Sequence, residues 1–502
     1  MVQPLPASGP GPHRLVVVGA GSAGVVVASR LSEARTRTGR PAYEVTLLES
    51  GPATEEPAPG RAARSVGSLD FFDALEDPAR THAGVVARRT AAQQPVWYPR
   101  GRGVGGSASV NAMVGLWPLR QDHDAWTAAG APALGWQATA RARRRAIVAN
   151  PLTRRPVSEW SPFEQAVRLA ALDAGLPPCD VAAPHGEGIG AAPLTADARA
   201  RRSVVETYLR DARHRPNLVL RPEAAVERIV WVGRRAAGVS LASGEQIEAD
   251  AVVLCAGALH SPALLAHSGV TLEGVGANLA DHASIGLTVQ LRPGAQLAPG
   301  APAVSGLARY SSGLDEAGFA DMQLLALGAT GASAAGRTYA SLQAAVMVPF
   351  SRGSVRPGRG AGAVAVPEVD FGLLADERDR ARLASAVDIL RRIAEHPSVE
   401  AVADGVYVDD RGGLLSSLDG SNLDAWLDER VGAYVHATGT CAMGPATDRM
   451  AVVDEAGSVH GHEALAVLDA SILPVPPRVN THLPVVLAAE TLVERWVDTA
   501  SR

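Results

Sequence analysis

The stretch 434–444, YVHATGTCAMG, sets a single histidine, His436, ahead of a run of small residues, with Cys441 and Met443 close behind. Such a histidine can be a metal ligand, half of a Cys–His nucleophile pair, a buried core imidazole or a general base. The nucleophile reading needs Cys441 beside His436. Five residues of separation across a Gly-Thr turn define no shared face, and no third orienting group is identifiable. Zinc would have to recruit His460 and His462 of VHGHEAL, an HxH pair without a companion cluster, so no metal is expected. Between a core imidazole and a base, the stretch alone does not choose. Histidine is a common satisfied interior residue, and its reference pKa of about 6.5 also suits proton abstraction near neutrality.

Other chemistries are removed by absence. All 47 basic residues are arginine, which excludes a Schiff-base or P-loop lysine. Neither GxSxG nor HExxH occurs. Cys179, Cys255 and Cys441 are odd in number and widely spaced, giving neither a disulfide framework nor a CxxC pair. A net charge of −5 argues against a nucleic-acid or anionic-membrane surface. The partner is therefore expected to be a small molecule. With no signal-like apolar segment near the start and no run of about 18 apolar residues, a cytoplasmic protein without a membrane span is expected.

The elements that must position this chemistry begin with RLVVVGAGSAGVVVASRLSEA. Leu15 to Val18 reads as a buried strand, followed by a glycine turn and a helix with Val25, Ala28, Leu31 and Ser32 on adjacent faces. A second strand follows near 44–49. In this βαβ opening Gly19, Gly21 and Gly24 match a dinucleotide fingerprint, and Glu49 lies 25 residues beyond the last glycine. Gly19 permits the tight turn, Gly21 the approach of a pyrophosphate and Gly24 close helix packing. Glu49 can accept from a ribose hydroxyl. Gly101, Gly103 and Gly106 repeat the GxGxxG spacing without strand, helix or acid, so no second nucleotide is expected there.

At 502 residues the chain can bury more than one core, and two domains are expected. Residues 225–265 read as a hairpin, a third strand at 251–255 and a helix, continuing the nucleotide domain. Residues 285–369 are strand-like and glycine-rich before a helix over 377–396, and should supply a substrate-facing domain. The first thirteen residues read as a frayed tail. Gly/Pro clusters at 53–60, 293–302 and 352–362 read as surface loops.

Taken in order, VVGAGSAG, YPRGRGVGGSASVNAMV, GALHSPALLAHSGV, HATGTCAMG and LDASILPVPPRVNTHLPVVLAAE resemble the glucose-methanol-choline (GMC) oxidoreductase family from about residue 13 to 496. DHASIGLTVQL resembles the family's passage into the substrate domain. The resemblance implies an α/β (α+β overall) fold: a Rossmann-like FAD-binding domain plus a discontinuous substrate domain on an antiparallel sheet with helices. The corresponding division is FAD-binding 13–155, 201–284 and 436–502, and substrate domain 156–200 and 285–435.

By that resemblance FAD is held by Gly19, Gly21, Ser22, Ala23, Gly24, Glu49 and Ser50, and by Arg102, Val104, Gly105, Gly106, Ser107, Asn111, Ala112, Met113 and Val114 of the second glycine cluster. Val226, Ala256 and Gly257 serve the adenine end, and Asp469, Ala470, Thr481, His482 and Leu483 the flavin. The family's covalent attachment site falls at Val110 or Asn111, neither of which is a histidine, so FAD is expected to be non-covalent. His436 becomes the base for a primary alcohol (aryl, furanic or aliphatic), with hydride passing to flavin N5 and then to oxygen or another acceptor. Asn480 holds the alcohol oxygen where many relatives carry a second histidine, leaving His436 to work alone. His482 is placed near the flavin as a structural or electrostatic residue, and Cys441 is assigned to packing. The residue preceding the base, Val435, is smaller than the aromatic common in relatives, which implies a more open pocket. The alternatives are a hydroxynitrile-lyase-like member with redox-silent FAD and a plain NAD(P)-dependent dehydrogenase, which leaves the later motifs without a role.

Overall fold

A computed structural model describes residues 12–53, 66–314, 316–358 and 366–500. Residues 1–11 of the expected tail, 54–60 of the loop reading at 53–60 and 359–362 of that at 352–362 lie outside these residues; within the described part, His13 already opens the first strand, and Ser354–Arg356 is a strand rather than loop.

The βαβ opening forms as the periodicity predicts. His13–Val18, the helix Ser22–Glu33 and Tyr43–Leu48 seed a five-stranded parallel sheet. Its spatial order is Leu465–Val467, Ala251–Leu254, His13–Val18, Tyr43–Leu48, Leu218–Arg221. Three strands from far down the chain thus complete a sheet that the N-terminus begins. Val25, Ala28, Leu31 and Ser32 are all buried. Gly24 allows the helix to lie close to the sheet: a Cβ there would come within 1.8 Å of the Gly19 carbonyl oxygen and 3.1 Å of Cys255 Cβ. The long C-terminal helix His482–Ala500 packs against the helix Ser22–Glu33.

The expected hairpin is a three-stranded antiparallel sheet, Val226–Val232, Arg235–Leu241 and Gln246–Glu248. Its last strand is only three residues long, too short for alternation to reveal. A seven-stranded antiparallel sheet forms the second core. Its main path runs Ala403–Tyr407, Ala283–Leu291, Tyr339–Val346, Met322–Leu327, Gly306–Tyr310, Gly188–Ala191, with Gly432–Ala433 beside Ala283–Leu291. The helix Glu377–Ala394 buries Leu383, Ala386, Val387, Leu390 and Ile393 against it, the spacing of one helical face. A small four-stranded sheet pairs Val86–Arg88 with Glu368–Asp370, stitching an early segment to the later half. Among the described residues no helix is long and apolar enough to cross a membrane.

Candidate active site

A cavity of about 1000 Å³ runs between the two large sheets. At one end lies the uncapped N-terminus of the helix Ser22–Glu33, whose N-cap Gly21 offers no side chain to its free amides. Most residues assigned to FAD from the sequence line this cavity: Gly19, Gly21, Ser22, Ala23, Glu49, Ser50, Arg102, Gly106, Ser107, Asn111, Ala112, Met113, Val114, Val226, Ala256, Gly257, Ala470, Thr481 and His482. His436 and Asn480 line it too.

Five assigned residues stand behind the wall instead. Gly24 packs the helix as described. The Val104 N–H donates to the Pro52 carbonyl, and the Gly105 N–H to the Ala20 carbonyl at 2.7 Å. Asp469 was expected at the flavin, yet its carboxylate accepts from the Ser261 hydroxyl (2.5 Å), the Gly257 N–H (2.8 Å) and the Ser471 N–H (2.8 Å). It braces two loops, because a side chain on a lining segment can face either side of it. Leu483 is fully buried in the first turn of the last helix.

The second glycine cluster forms no βαβ unit and docks on the first. A Cβ on Gly106 would lie 2.9 Å from Gly21 Cα, so the two loops touch backbone to backbone. Glu49 ties them together: Oε2 accepts from the Ala20 N–H at 3.0 Å, and Oε1 from Gly51 and Gly103 at 2.9 and 3.0 Å. Oε2 carries one donor and keeps capacity for a hydroxyl in the cavity. An elongated cavity, free amides for a pyrophosphate and a carboxylate for a ribose make a set that fits FAD.

Toward the seven-stranded sheet, His436 lies three residues beyond the end of the strand Gly432–Ala433, which pairs with Ala283–Ser284. The strand ends therefore present His282 and His436 side by side, with Nδ1 atoms 2.8 Å apart and rings at 83°. Paired hydrogen bonds between Ala280 and Thr438 clamp the two segments together. Asp281 accepts from the backbone N–H of His282 and of His436 and from the Tyr98 hydroxyl at 2.7 Å. Burial pushes its carboxyl up to about 6, against these donors and Arg100, which pull it down. Arg100 donates to the Val435 carbonyl at 2.7 Å. Val435 itself has φ +61°, a left-handed conformation that costs a β-branched residue about 1–3 kcal/mol and persists only where neighbours impose it.

The hydrogen-bond network assigns the protons. His282 Nε2 lies 3.0 Å from the Pro477 carbonyl, which can only accept, so the proton sits on Nε2. Burial depresses the His282 pKa to about 4, so the ring is neutral and Nδ1 offers a lone pair. His436 Nδ1 must then donate, which leaves His436 Nε2 bare, with Asn480 Nδ2 at 3.4 Å. Burial holds the His436 pKa well below 6.5, and the neighbouring imidazole and the positive charge of Arg100 disfavour a second charge there as well. His436 therefore does not stand alone. The signal for its partner was the dipeptide Asp281–His282 at the head of the alternating stretch DHASIGLTVQL, and Tyr98 stood in the quoted YPRGRGVGG.

The remaining candidates go elsewhere. His482 Nδ1 meets the Ser22 hydroxyl at 2.9 Å, at the dinucleotide loop, and burial lowers its pKa to about 4. Cys441 is wholly buried, with its thiol pKa raised by that burial. His460 reaches the Gly444 carbonyl and His462 that of His460. Among the described residues the one acid–histidine group close enough to hold an ion is Asp281, His282 and His436, whose ligand atoms lie within 4.8 Å of one another. Hydrogen bonds within the network already engage those atoms.

Comparison with known proteins matches this geometry to one family. The N-terminal and C-terminal GMC oxidoreductase family models match residues 14–284 and 349–489. The chain is 33% identical to 5-(hydroxymethyl)furfural oxidase of Methylovorus sp. (strain MP688), across 97% of this chain and 98% of that protein. It is 30% identical to oxygen-dependent choline dehydrogenase 1 of Chromohalobacter salexigens, covering 96% and 94%. Pyridoxine 4-oxidase from Mesorbium loti superposes with a TM-score of 0.81 at 25% identity, covering 96% and 99%.

Proposed function

Because the chain belongs to the GMC oxidoreductase family, and is thereby an FAD-dependent oxidoreductase, we propose that its reaction is the oxidation of a primary alcohol with His436 as general base. The observation that carries this reading is the proton order Pro477 carbonyl, His282, His436. It leaves the unprotonated Nε2 of His436 as the acceptor in a cavity already fitted for a dinucleotide.

The alcohol hydroxyl donates to His436 Nε2 and passes its proton there as the carbinol C–H bond is cleaved. FAD, when bound along this cavity, would supply the hydride acceptor, with oxygen or another electron acceptor as the final oxidant. Asn480 Nδ2, beside Nε2, donates to the alcohol oxygen as negative charge develops on it. Arg100, fixed on the Val435 carbonyl, adds a positive charge on the same side. As the imidazolium forms, His282 retains the hydrogen bond from Nδ1 and fixes the ring plane, acting as a positioning residue. Residues 110 and 111 carry no nucleophilic ring nitrogen, which supports non-covalent FAD.

The test is anaerobic titration of purified protein with benzylic, furanic and aliphatic alcohols, following bleaching of the oxidised flavin band. Bleaching by at least one alcohol is expected. A full panel without bleaching refutes hydride transfer from alcohols and favours the lyase chemistry.

A further inference from the structure

The cavity wall is electrically lopsided. Its only acidic lining residues among those described are Glu49 and Glu227, both at the dinucleotide end, where Val226 and the first glycine loop lie. Toward the seven-stranded sheet the lining carries the cations Arg89 and Arg100 and the neutral groups Ser284, Gln343, Tyr434, His436 and Asn480. Ser284 belongs to the strand Ala283–Leu291 and Gln343 to its neighbour Tyr339–Val346, so both stand on the seven-stranded sheet. Arg89 follows the strand Val86–Arg88. The next residue, Thr90, donates to the Asp428 carbonyl, and Gln93 donates to the carbonyls of Asp428 and Val431. These bonds hold the Arg89 segment against the chain entering Gly432–Ala433, beside the His436 loop.

Among the described residues the Arg89 guanidinium makes no hydrogen bond and no ion pair, although it is half-buried. The neighbouring arginines Arg88 and Arg100 both spend their donors, on Asp370 and on the carbonyls of Pro99 and Val435. The acid nearest to it electrostatically, Asp281, is occupied by Tyr98 and two backbone N–H groups, and burial lowers the Arg89 pKa. A planar five-donor group held in a cavity without a counter-ion matches a carboxylate, which can accept two of its N–H bonds at once.

We propose that Arg89 is a specificity-determining residue that receives an anionic group, a carboxylate, on the far side of the alcohol substrate from the reacting carbon. The substrate class is then a hydroxymethyl compound bearing a carboxylate, with Gln343 and Ser284 as neutral neighbours. A quaternary ammonium alcohol, of the kind named in the choline dehydrogenase relatives, meets a charge of the same sign and is disfavoured. The inference rests on the alcohol-oxidation reading only for the identity of the reacting group.

The experiment uses the FAD-loaded enzyme with three matched alcohols: benzyl alcohol, 4-(hydroxymethyl)benzoate and its para-trimethylammoniomethyl counterpart. The quantity read is the ratio of kcat/KM between charged and neutral substrates, which cancels differences in active fraction between preparations. The carboxylate is expected to exceed the neutral alcohol by about 10–100-fold, as for a charge-assisted bidentate pair, and the cation to fall below it. In Arg89→Leu the ratio collapses toward one, and Arg89→Lys keeps part of it. A wild-type ratio within about twofold of one, or the same preference in Arg89→Leu, overturns the proposal. Calorimetric binding of the same compounds to the holoenzyme runs in parallel. If no alcohol reduces the flavin, the oxidation reading fails while the binding ratio still decides the anion site.

Discussion

Replacing His282 by alanine tests the proton order on which the proposed base depends. In the folded protein His436 Nδ1 donates to His282 Nδ1 at 2.8 Å, inside a fully buried pair. Removing the acceptor leaves a buried N–H without a partner, a cost of about 1–3 kcal/mol. If that cost is felt as the imidazolium forms, the limiting rate of flavin reduction falls by about 5- to 150-fold, at 1.36 kcal/mol per decade. The substitution also opens space around His436 and so relieves the burial that is the main cause of its lowered pKa. The acid limb of the rate profile, which lies well below pH 6.5 in the parent, should therefore move upward toward 6.5. The assay is anaerobic stopped-flow bleaching against pH, with bound flavin counted from the visible spectrum. His282→Gln, which offers one acceptor to His436 and one donor to Pro477, should recover part of the rate. An alanine variant with full flavin content, a rate within about twofold of the parent and an unmoved acid limb refutes the argument.

His436→Ala should lower turnover by about 10²–10⁴-fold without releasing FAD, and near-normal turnover would remove it as the base. Gly106→Ala puts a Cβ 2.9 Å from Gly21 Cα at a φ of +51°, so the two loops must part; a lower FAD content after purification and weaker FAD rebinding to stripped protein are expected. Acid-precipitated protein should be colourless, with the flavin in the supernatant, if attachment is non-covalent. Stability should fall on acidification. The folded-state pKa values of His82, His282 and His482 are near 4 and that of His260 near 3, all below the unfolded value of 6.5. The unfolded chain thus binds more protons, and this contribution, complete above 6.5, drains away toward pH 4. Asp281 and Glu164, raised to about 6 and about 7, act in the opposite sense but are fewer. A urea midpoint no lower at pH 4.5 than at pH 7 would contradict this sum.

What the sequence made legible was local. The run from Leu15 to Glu49 announces its strand, turn and helix through period and glycine spacing, and each pairs as expected. The helix from Glu377 was equally plain because its apolar face repeats every three or four residues. His282 was not legible as the partner of His436, since 154 residues separate them and only the pairing of 283–284 with 432–433 brings them together. The direction of the Asp469 side chain was not legible for a related reason: its motif fixes the loop's position, while the carboxylate turns to Ser261 and Gly257, more than two hundred residues earlier in the chain. Arg89 carries no motif at all. Its interest lies in the absence of a counter-ion, a property of the assembled cavity.

The bonds around Asp281 also impose a timetable on synthesis. Tyr98, Asp281 and His436 are contributed by chain segments that leave the ribosome far apart in time, and the strand Leu465–Val467 completes the parallel sheet later still. Only the βαβ opening of the dinucleotide half, His13–Val18 to Tyr43–Leu48, can pair early, because the other strands of that sheet come from 218–221, 251–254 and 465–467. The proton-abstracting centre, by contrast, cannot exist until nearly the last residues have emerged. A prematurely terminated product would lack the strand Leu465–Val467 that closes the nucleotide sheet as well as the late wall residues Ala470, Thr481 and His482, so an unfinished copy is chemically silent.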